Sequence, residues 1–370
     1  MTVLPEFVPS KPYTIGVEAE LQLIDKNTFN LCQIAPEIIA KVPTDYRNNI
    51  KTEFIQSMVE VATHVCQDID EVEEDLRSTI QLLSALADDS GCLAFAASLH
   101  PFARYRDQKL TQGERYAKLM QELQIAGRRL ITQGLHVHIG MPDRQTLIKV
   151  CDGIRSYLPL LLALTTSSPF YGGEDTGFCS YRSRLMDALT RAGIPYTFKN
   201  WDNYNKLVTD LHNAGLITDV RDIWWDVRPH PDLGTVEVRI CDLPVTFTEI
   251  LAVAAFIQAL VKTLAESPEV EAFPRLEIIA NNKWQAARHG LRGKFIDLTN
   301  ISTPLTIVQA IENTLAFSRN ASQALHTQGH IDNIHGIIRN GTGADKIRKY
   351  LSTEMTFIDC IRKLYGDFWT

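Results

Sequence analysis

The seven cysteines of this 370-residue chain include no C-x-x-C pair, and their number is odd. That excludes a disulfide framework and a thiolate zinc site of the usual spacing. Cys32, Cys66, Cys92, Cys151, Cys179, Cys241 and Cys360 are expected as small core residues in a reducing cytosol. No apolar run reaches the roughly 20 residues needed to cross a bilayer. The longest, Ile250–Leu264, is interrupted by Gln258 and Lys262 and is predicted as a buried helix. Met1–Ser10 holds Glu6 and two prolines and no basic stretch, so no signal peptide is expected there. Basic residues are not in excess: 37 Lys and Arg against 44 Asp and Glu leave a net charge of −7 at pH 7. Such a chain suits neither nucleic acid nor an anionic membrane, and small molecules are the expected partners. A G-x-x-x-x-G-K-[ST] loop is also missing, since Gly341–Lys346 fails the pattern. Any nucleotide phosphates must then be held by metal and arginine.

What is present is ordinary globular material, 45% hydrophobic and 22% charged, long enough to bury a full core. No internal repeat, low-complexity tract or Pro/Gly/Ser-rich linker divides it, so one domain is expected over 1–370, with C-terminal helices of 305–370 belonging to it. Apolar spacing predicts helices over Glu71–Asp88, Glu114–Thr132, Arg144–Thr165 (broken at Pro159), Thr246–Glu266, Arg275–Arg288, Leu305–Gln328 and Asp345–Tyr365. Period-2 alternation predicts strands over Tyr13–Ile24, Gly134–Met141 and Gly234–Leu243, with Phe54–Val65 as a fourth candidate. Parallel strands covered on both faces read as continuous apolar runs, and these do not. The expectation is an α+β fold: an antiparallel or mixed β-sheet with helices on one side and a charged working face on the other.

Three pairs define that face: Glu18 and Glu20 in Gly16–Leu21, His136 and His138 in Leu135–Gly140, and Glu237 and Arg239 in Thr235–Ile240. Side chains two apart on a strand project to the same side, and the residues between them here are apolar. A solvated sheet face is the plain alternative, but such a face carries Lys, Thr and Gln rather than this set. Glutamates gathered without cations raise one another's pKa, and a bound divalent cation removes the conflict. Glu53 and Glu60 add up to two more carboxylates, Glu60 from within an apolar stretch. Mostly carboxylate oxygen with at most one or two imidazoles suits Mg²⁺ or Mn²⁺ better than zinc. Arg239 is placed to neutralise charge on a transferring phosphoryl group. The loop Ser167–Gly177, followed by Arg182 and Arg184, is either solvated surface or a clamp for a carboxylate or phosphate. Asn281–Gly290 is either a plain helix C-terminus or a source of Lys283 or Arg288 for a phosphate.

Gly16–Glu20, Gln56–Glu60, His136–Gly140, Ser167–Gly177 with Tyr181 and Arg182, Asp226–Pro231, Gly234–Arg239, and Trp284 through Arg288 with Gly290 together resemble the glutamate–cysteine ligase type 2 family, also called carboxylate–amine ligases. The match in order and spacing runs from Pro12 to about Arg292. The resemblance implies a glutamine-synthetase-like catalytic fold, an antiparallel sheet funnel with ATP and metal ions on its polar face and helices outside. It implies phosphorylation of the γ-carboxylate of glutamate by ATP, then attack by the amine of cysteine, as in glutathione biosynthesis. By that likeness Glu18, Glu20, Glu53, Glu60, His138 and Glu237 are metal ligands. Glu237 and Arg239 are catalytic, and Arg182, Arg184 and His136 bind substrate. Lys283 and Arg288 bind ATP, the cofactor is Mg²⁺ or Mn²⁺, and the enzyme is a cytoplasmic homodimer. Ala62-Thr63-His64, where the family often has Asn-Thr-Gly, and Lys283 and Gln285, where it often has arginine, leave the acceptor amine open. The alternatives are ligation of glutamate to another amine, a metal-dependent hydrolase built on the H-x-H pair, and a non-catalytic nucleotide sensor.

Overall fold

The computed structural model describes residues 6–268, 275–297 and 301–370, the side chain of Arg115 excepted. Met1–Pro5, half of the segment expected not to be a signal peptide, lie outside the described residues. The sheet comprises β1 (Ile15–Asp25), β2 (Ile50–Thr52), β3 (Met58–Ala62), β4 (Cys92–Phe95), β5 (Leu135–Gly140), β6 (Val227–His230) and β7 (Thr235–Val238). Its order is β6–β7–β5–β1–β3–β2, and β4 pairs with the far end of β1. Every neighbouring pair is antiparallel. The antiparallel option of the expected α+β fold is therefore the one realised. A barrel of the amidohydrolase kind, in which an H-x-H pair sits on a parallel strand, is not this fold: His136 and His138 sit on an antiparallel strand inside an open sheet.

Alternation decides the two faces. Val17, Ala19, Leu21, Leu135, Val137, Ile139, Val236 and Val238 are buried on the apolar side. Helices Ile69–Asp88, Arg144–Ile154 and Phe247–Glu266 pack there. The first begins where the Asp68 carboxylate accepts from the amides of Asp70 and Glu71. Phe247–Glu266, capped by Thr246, is the one described helix long and apolar enough to span a bilayer, but most of it is buried against its neighbours. One hydrophobic cluster extends from Ile15 through this helix to Ile334, Ile337 and Phe368, and a second joins Ile24 and Phe95 to Ile361 and Leu364.

Several predicted elements are divided differently. Arg144–Thr165 is two helices, Arg144–Ile154 and Leu158–Thr165. The break precedes Pro159, which sits in the first turn of the second helix, where a missing N–H costs nothing. Asp345–Tyr365 splits into Gly343–Leu351 and Phe357–Gly366, because Thr356 and Asp359 form a capping box that starts a new helix. Glu114–Thr132 ends at Arg128 and bends at Gln124, where φ is 49°. Leu305–Thr306 pairs with Lys294–Phe295 before the helix Ile307–Ala324 begins. The Phe54–Val65 candidate reduces to β3, and Glu53–Ser57 forms the connection from β2.

Candidate active site

A cavity of about 410 Å³ lies on the polar face of the sheet. Strand register builds it row by row. Glu237 stands opposite His138 across β7–β5, Glu18 opposite His136 across β5–β1, and Glu20 opposite Glu60 across β1–β3. Two triads result, Glu18/His138/Glu237 and Glu20/Glu53/Glu60. Within each, one donor atom from every member lies within 4.8 Å of the others. Glu53 is not on a strand. The Phe54 amide donates to its Oε2 at 3.1 Å and Thr111 hydrogen-bonds its carbonyl, which holds the connection beside β3.

The first triad is threaded with cations. His138 Nε2 lies 3.5 Å from Glu18 Oε1 and 3.6 Å from Glu237 Oε1, and its Nδ1 is 3.0 Å from Thr235 Oγ1. His136 Nδ1 is 3.3 Å from Glu18 Oε2. Glu237 accepts from Arg228 Nε at 2.7 Å and from Arg239 Nη1. Burial alone would raise the Glu18 and Glu237 carboxyls. The histidine contacts of Glu18, and the two guanidiniums beside Glu237, overcome it and hold both well below the ordinary range. Burial, with help from Arg239, pushes His136 down to about 4, so it is neutral. For His138 the carboxylates of Glu237 and Glu18 outweigh burial and raise it.

The second triad is short of positive charge. Lys51 Nζ is 3.6 Å from Glu60 Oε1, and the Gly134 amide donates to Glu20 Oε2 at 2.5 Å. Burial raises Glu20 and Glu53 to about 7, and burial with the neighbouring Glu18 and Glu53 lifts Glu60 far above its ordinary value. Three crowded, half-buried carboxyls are a poor arrangement for protein alone and a good one for a hard divalent cation. The donor sets, all oxygen in one triad and oxygen with one imidazole in the other, fit Mg²⁺ or Mn²⁺.

Arg182 and Arg239 line the same cavity. Arg182 donates through Nη1 to Ile240 O at 3.1 Å and through Nη2 to Arg239 O at 3.2 Å. Its buried Nε has no partner among the described residues. Three expected site residues are elsewhere. Arg184 is turned away to Asp187 at 2.7 Å. Lys283 is buried between Asp187 and Asp226, at 2.7 Å from each. Arg288 donates to Gly177 O and sits over the Phe178 ring. None of the three lines the cavity, because each finds its counter-charge or carbonyl within the protein. Among the lining residues with no role assigned from sequence are Arg228, and His230, whose ring centroid is 5.5 Å from that of His138. Both lie in the Asp226–Pro231 stretch. The lining also includes the apolar Phe54, Leu119, Leu130, Met186 and Leu189.

A family model described as glutamate–cysteine ligase family 2 matches residues 14–359. A protein of Gloeobacter violaceus, provisionally named a glutamate–cysteine ligase 2, is 38% identical over 97% of this chain and 97% of its own. A namesake from Thermobifida fusca is 34% identical over 98% and 92%. Among solved structures, the glutamate–cysteine ligase of Francisella tularensis in complex with AMP superposes with a TM-score of 0.66 at 14% identity, over 97% of this chain and 89% of that one. A bifunctional glutathione synthetase from Pasteurella multocida gives 0.67 at 15% identity, over 96% of this chain and 52% of that one. At those identities the two structures speak for the fold, which they share. With a family model spanning nearly its whole length and relatives above 30% identity end to end, the chain belongs to glutamate–cysteine ligase family 2.

Proposed function

We propose that the protein is an ATP-dependent carboxylate–amine ligase, acting as one catalytic domain, that joins the γ-carboxyl of glutamate to an amine, with cysteine the first candidate. The observation that carries this reading is the pair of triads, Glu18/His138/Glu237 and Glu20/Glu53/Glu60, facing one cavity with two arginines. Mg²⁺ or Mn²⁺ held there would screen the repulsion between triphosphate and carboxylate. The chain's own groups do the rest. Arg239, anchored by Glu237, offers a fixed guanidinium to the phosphoryl group as it leaves ADP for the substrate oxygen. Arg182, pinned to two backbone carbonyls beside the cavity, offers its positive charge and its remaining Nη hydrogens to a substrate carboxylate. The amine then attacks the acyl phosphate carbon, the C–O bond to phosphate breaks, and an amide forms.

The test is a coupled ADP-release screen with Mg²⁺, ATP and glutamate, across cysteine and other amines, with products weighed by mass spectrometry. The expected result is ADP released one for one with γ-glutamylcysteine or another γ-glutamyl amide. No amine-dependent ADP release from a folded, metal-loaded protein would overturn the reading.

A further inference from the structure

Lys283 looks from sequence like a nucleotide ligand, and its surroundings say otherwise. It is 5% exposed, on the helix Leu276–His289, and its ammonium reaches Asp187 Oδ1 and Asp226 Oδ2 at 2.7 Å each. Asp226 does more than accept this charge. Its carbonyl takes two amides, Arg239 N at 2.9 Å and Ile240 N at 3.1 Å. Two residues of one chain segment thus face one of the other, which is a β-bulge at the end of the β6–β7 pair. A bulge re-aims the side chains beside it, and here the neighbour is Arg239. The carbonyls of the same two residues are gripped by Arg182. Arg182 rides on the helix Tyr181–Met186, which Asp187 closes, its amide donating to Ser183 O at 3.0 Å. The path is a ring: Lys283, Asp226, the bulge, Arg182, its helix, Asp187, and back to Lys283.

We propose that Lys283 is a positioning residue that fixes the aim of Arg239 and Arg182 into the cavity, and that it does not touch the nucleotide. The inference rests on the proposed ligase reading. Removing the ammonium leaves the Asp226 carboxylate buried without its counter-charge and releases the more exposed Asp187, whose other oxygen stays with Arg184 at 2.7 Å. The tie between the bulge and the short helix is then cut, and both guanidiniums lose their fixed aim. A small misplacement of groups that act by orientation costs up to about 10²-fold in rate.

The experiment compares wild type with Lys283→Met and Lys283→Arg by steady-state kinetics, calorimetric binding of Mg-ADP and thermal melting. Lys283→Met is expected to lose about 10²-fold in kcat while KM for ATP and Kd for Mg-ADP stay within about three-fold. Lys283→Arg, which keeps the charge, is expected to recover most of the rate. Should Lys283→Met fail to fold, Asp187→Asn removes one arm of the ring and is expected to lower kcat with the same untouched ADP affinity. A tenfold or greater weakening of ADP binding would make Lys283 a nucleotide ligand and overturn the proposal. So would a melting loss with unchanged kcat, which marks a purely structural lysine. Wild-type turnover beside either result leaves the ligase reading standing. A wild type that releases no ADP removes that reading and this role together.

Discussion

Arg228 and Glu237 stand directly opposite each other on β6 and β7, joined at 2.7 Å with both side chains nearly wholly buried. A second Arg228 donor, Nη1, is tied to Ile223 O at 3.0 Å, so the guanidinium cannot follow a moving carboxylate. The consequence is a fixed Glu237 whose other oxygen serves Arg239 and His138. Breaking a buried pair from one side strands the remaining charge, which costs about 3–5 kcal/mol. Arg228→Met is expected to lose stability on that scale in urea unfolding at pH 7. Adding Glu237→Gln to it should return part of the loss. Strict additivity of the two changes would show that the pair is not coupled.

The Glu20, Glu53 and Glu60 carboxyls lead to a crossing of two stabilities. Without a cation they oppose one another, so Glu60→Gln is expected to melt higher than wild type in EDTA, by the equivalent of about 1–2 kcal/mol. With saturating Mg²⁺ the order should invert. Wild type gains the binding free energy, about 2.7 kcal/mol at a hundredfold excess over Kd, and the variant gains less. Thermal melts of both proteins with and without Mg²⁺ decide it. A wild type already the more stable in EDTA would mean that Lys51 and Arg182 suffice to neutralise the cluster.

The parts of this site that could be read in the sequence are those that obey strand arithmetic. Glu18/Glu20, His136/His138 and Glu237/Arg239 share a face because the period of a strand is two, and no tertiary knowledge is needed to see it. Glu60 was visible as a charge inside an apolar run. Arg228 was harder. It precedes Pro229, and proline demotes a strand signal; β6 tolerates it only because it is a sheet edge. Arg184 and Lys283 carry the same letters whether they meet a ligand or an internal aspartate. Asp187 and Asp226, at 96 and 57 residues from Lys283, pair with it through contacts that spacing does not encode. The four-residue β4 has too little pattern to stand out, and the helix break at 352–356 was hidden by apolar periodicity that continues across it, whereas Pro159 announced the break that falls at 155–157.

Gly134 is needed for space rather than for backbone freedom. A Cβ there would press on Arg182 Nη2 and stand 3.0 Å from His136 Nε2, while its own amide serves Glu20. Arg182 is pinned by two carbonyls and cannot retreat freely. Gly134→Ala is therefore expected to keep the fold and to lower kcat/KM for the carboxylate substrate by about tenfold or more, near 1.4 kcal/mol of transition-state binding. Gly329→Ala is the matched control, since no atom of the described residues lies within 4 Å of a Cβ there. Equal kinetics for the two variants would remove Gly134 from the site.

His100 gives the fold its own response to acid, on the side of the molecule that the Cys92–Phe95 strand and the Asp25–Asn30 turn share. The ring is fully buried; Nε2 donates to Phe29 O at 2.8 Å and Nδ1 accepts from Ala103 N at 3.0 Å. Both nitrogens are committed, and the commitment defines the neutral form. Burial, only partly offset by the Phe29 bond, pushes the pKa down to about 4. The unfolded chain takes up this proton near pH 6.5, before the folded one does. The stability from His100 is thus complete above pH 6.5 and is lost as pH falls toward 4. The slope is at most about 1.4 kcal/mol per pH unit, so about 2 kcal/mol disappears between pH 6.5 and 5. His100→Gln lowers stability at pH 7 by removing the ring's bonds, yet it carries no proton to gain. Urea midpoints at pH 7, 6 and 5 should converge for the two proteins as pH falls, because wild type loses an advantage the variant never had. Parallel curves would mean that His100 keeps the same proton in both states, and that the acid response of this fold arises among its carboxyls.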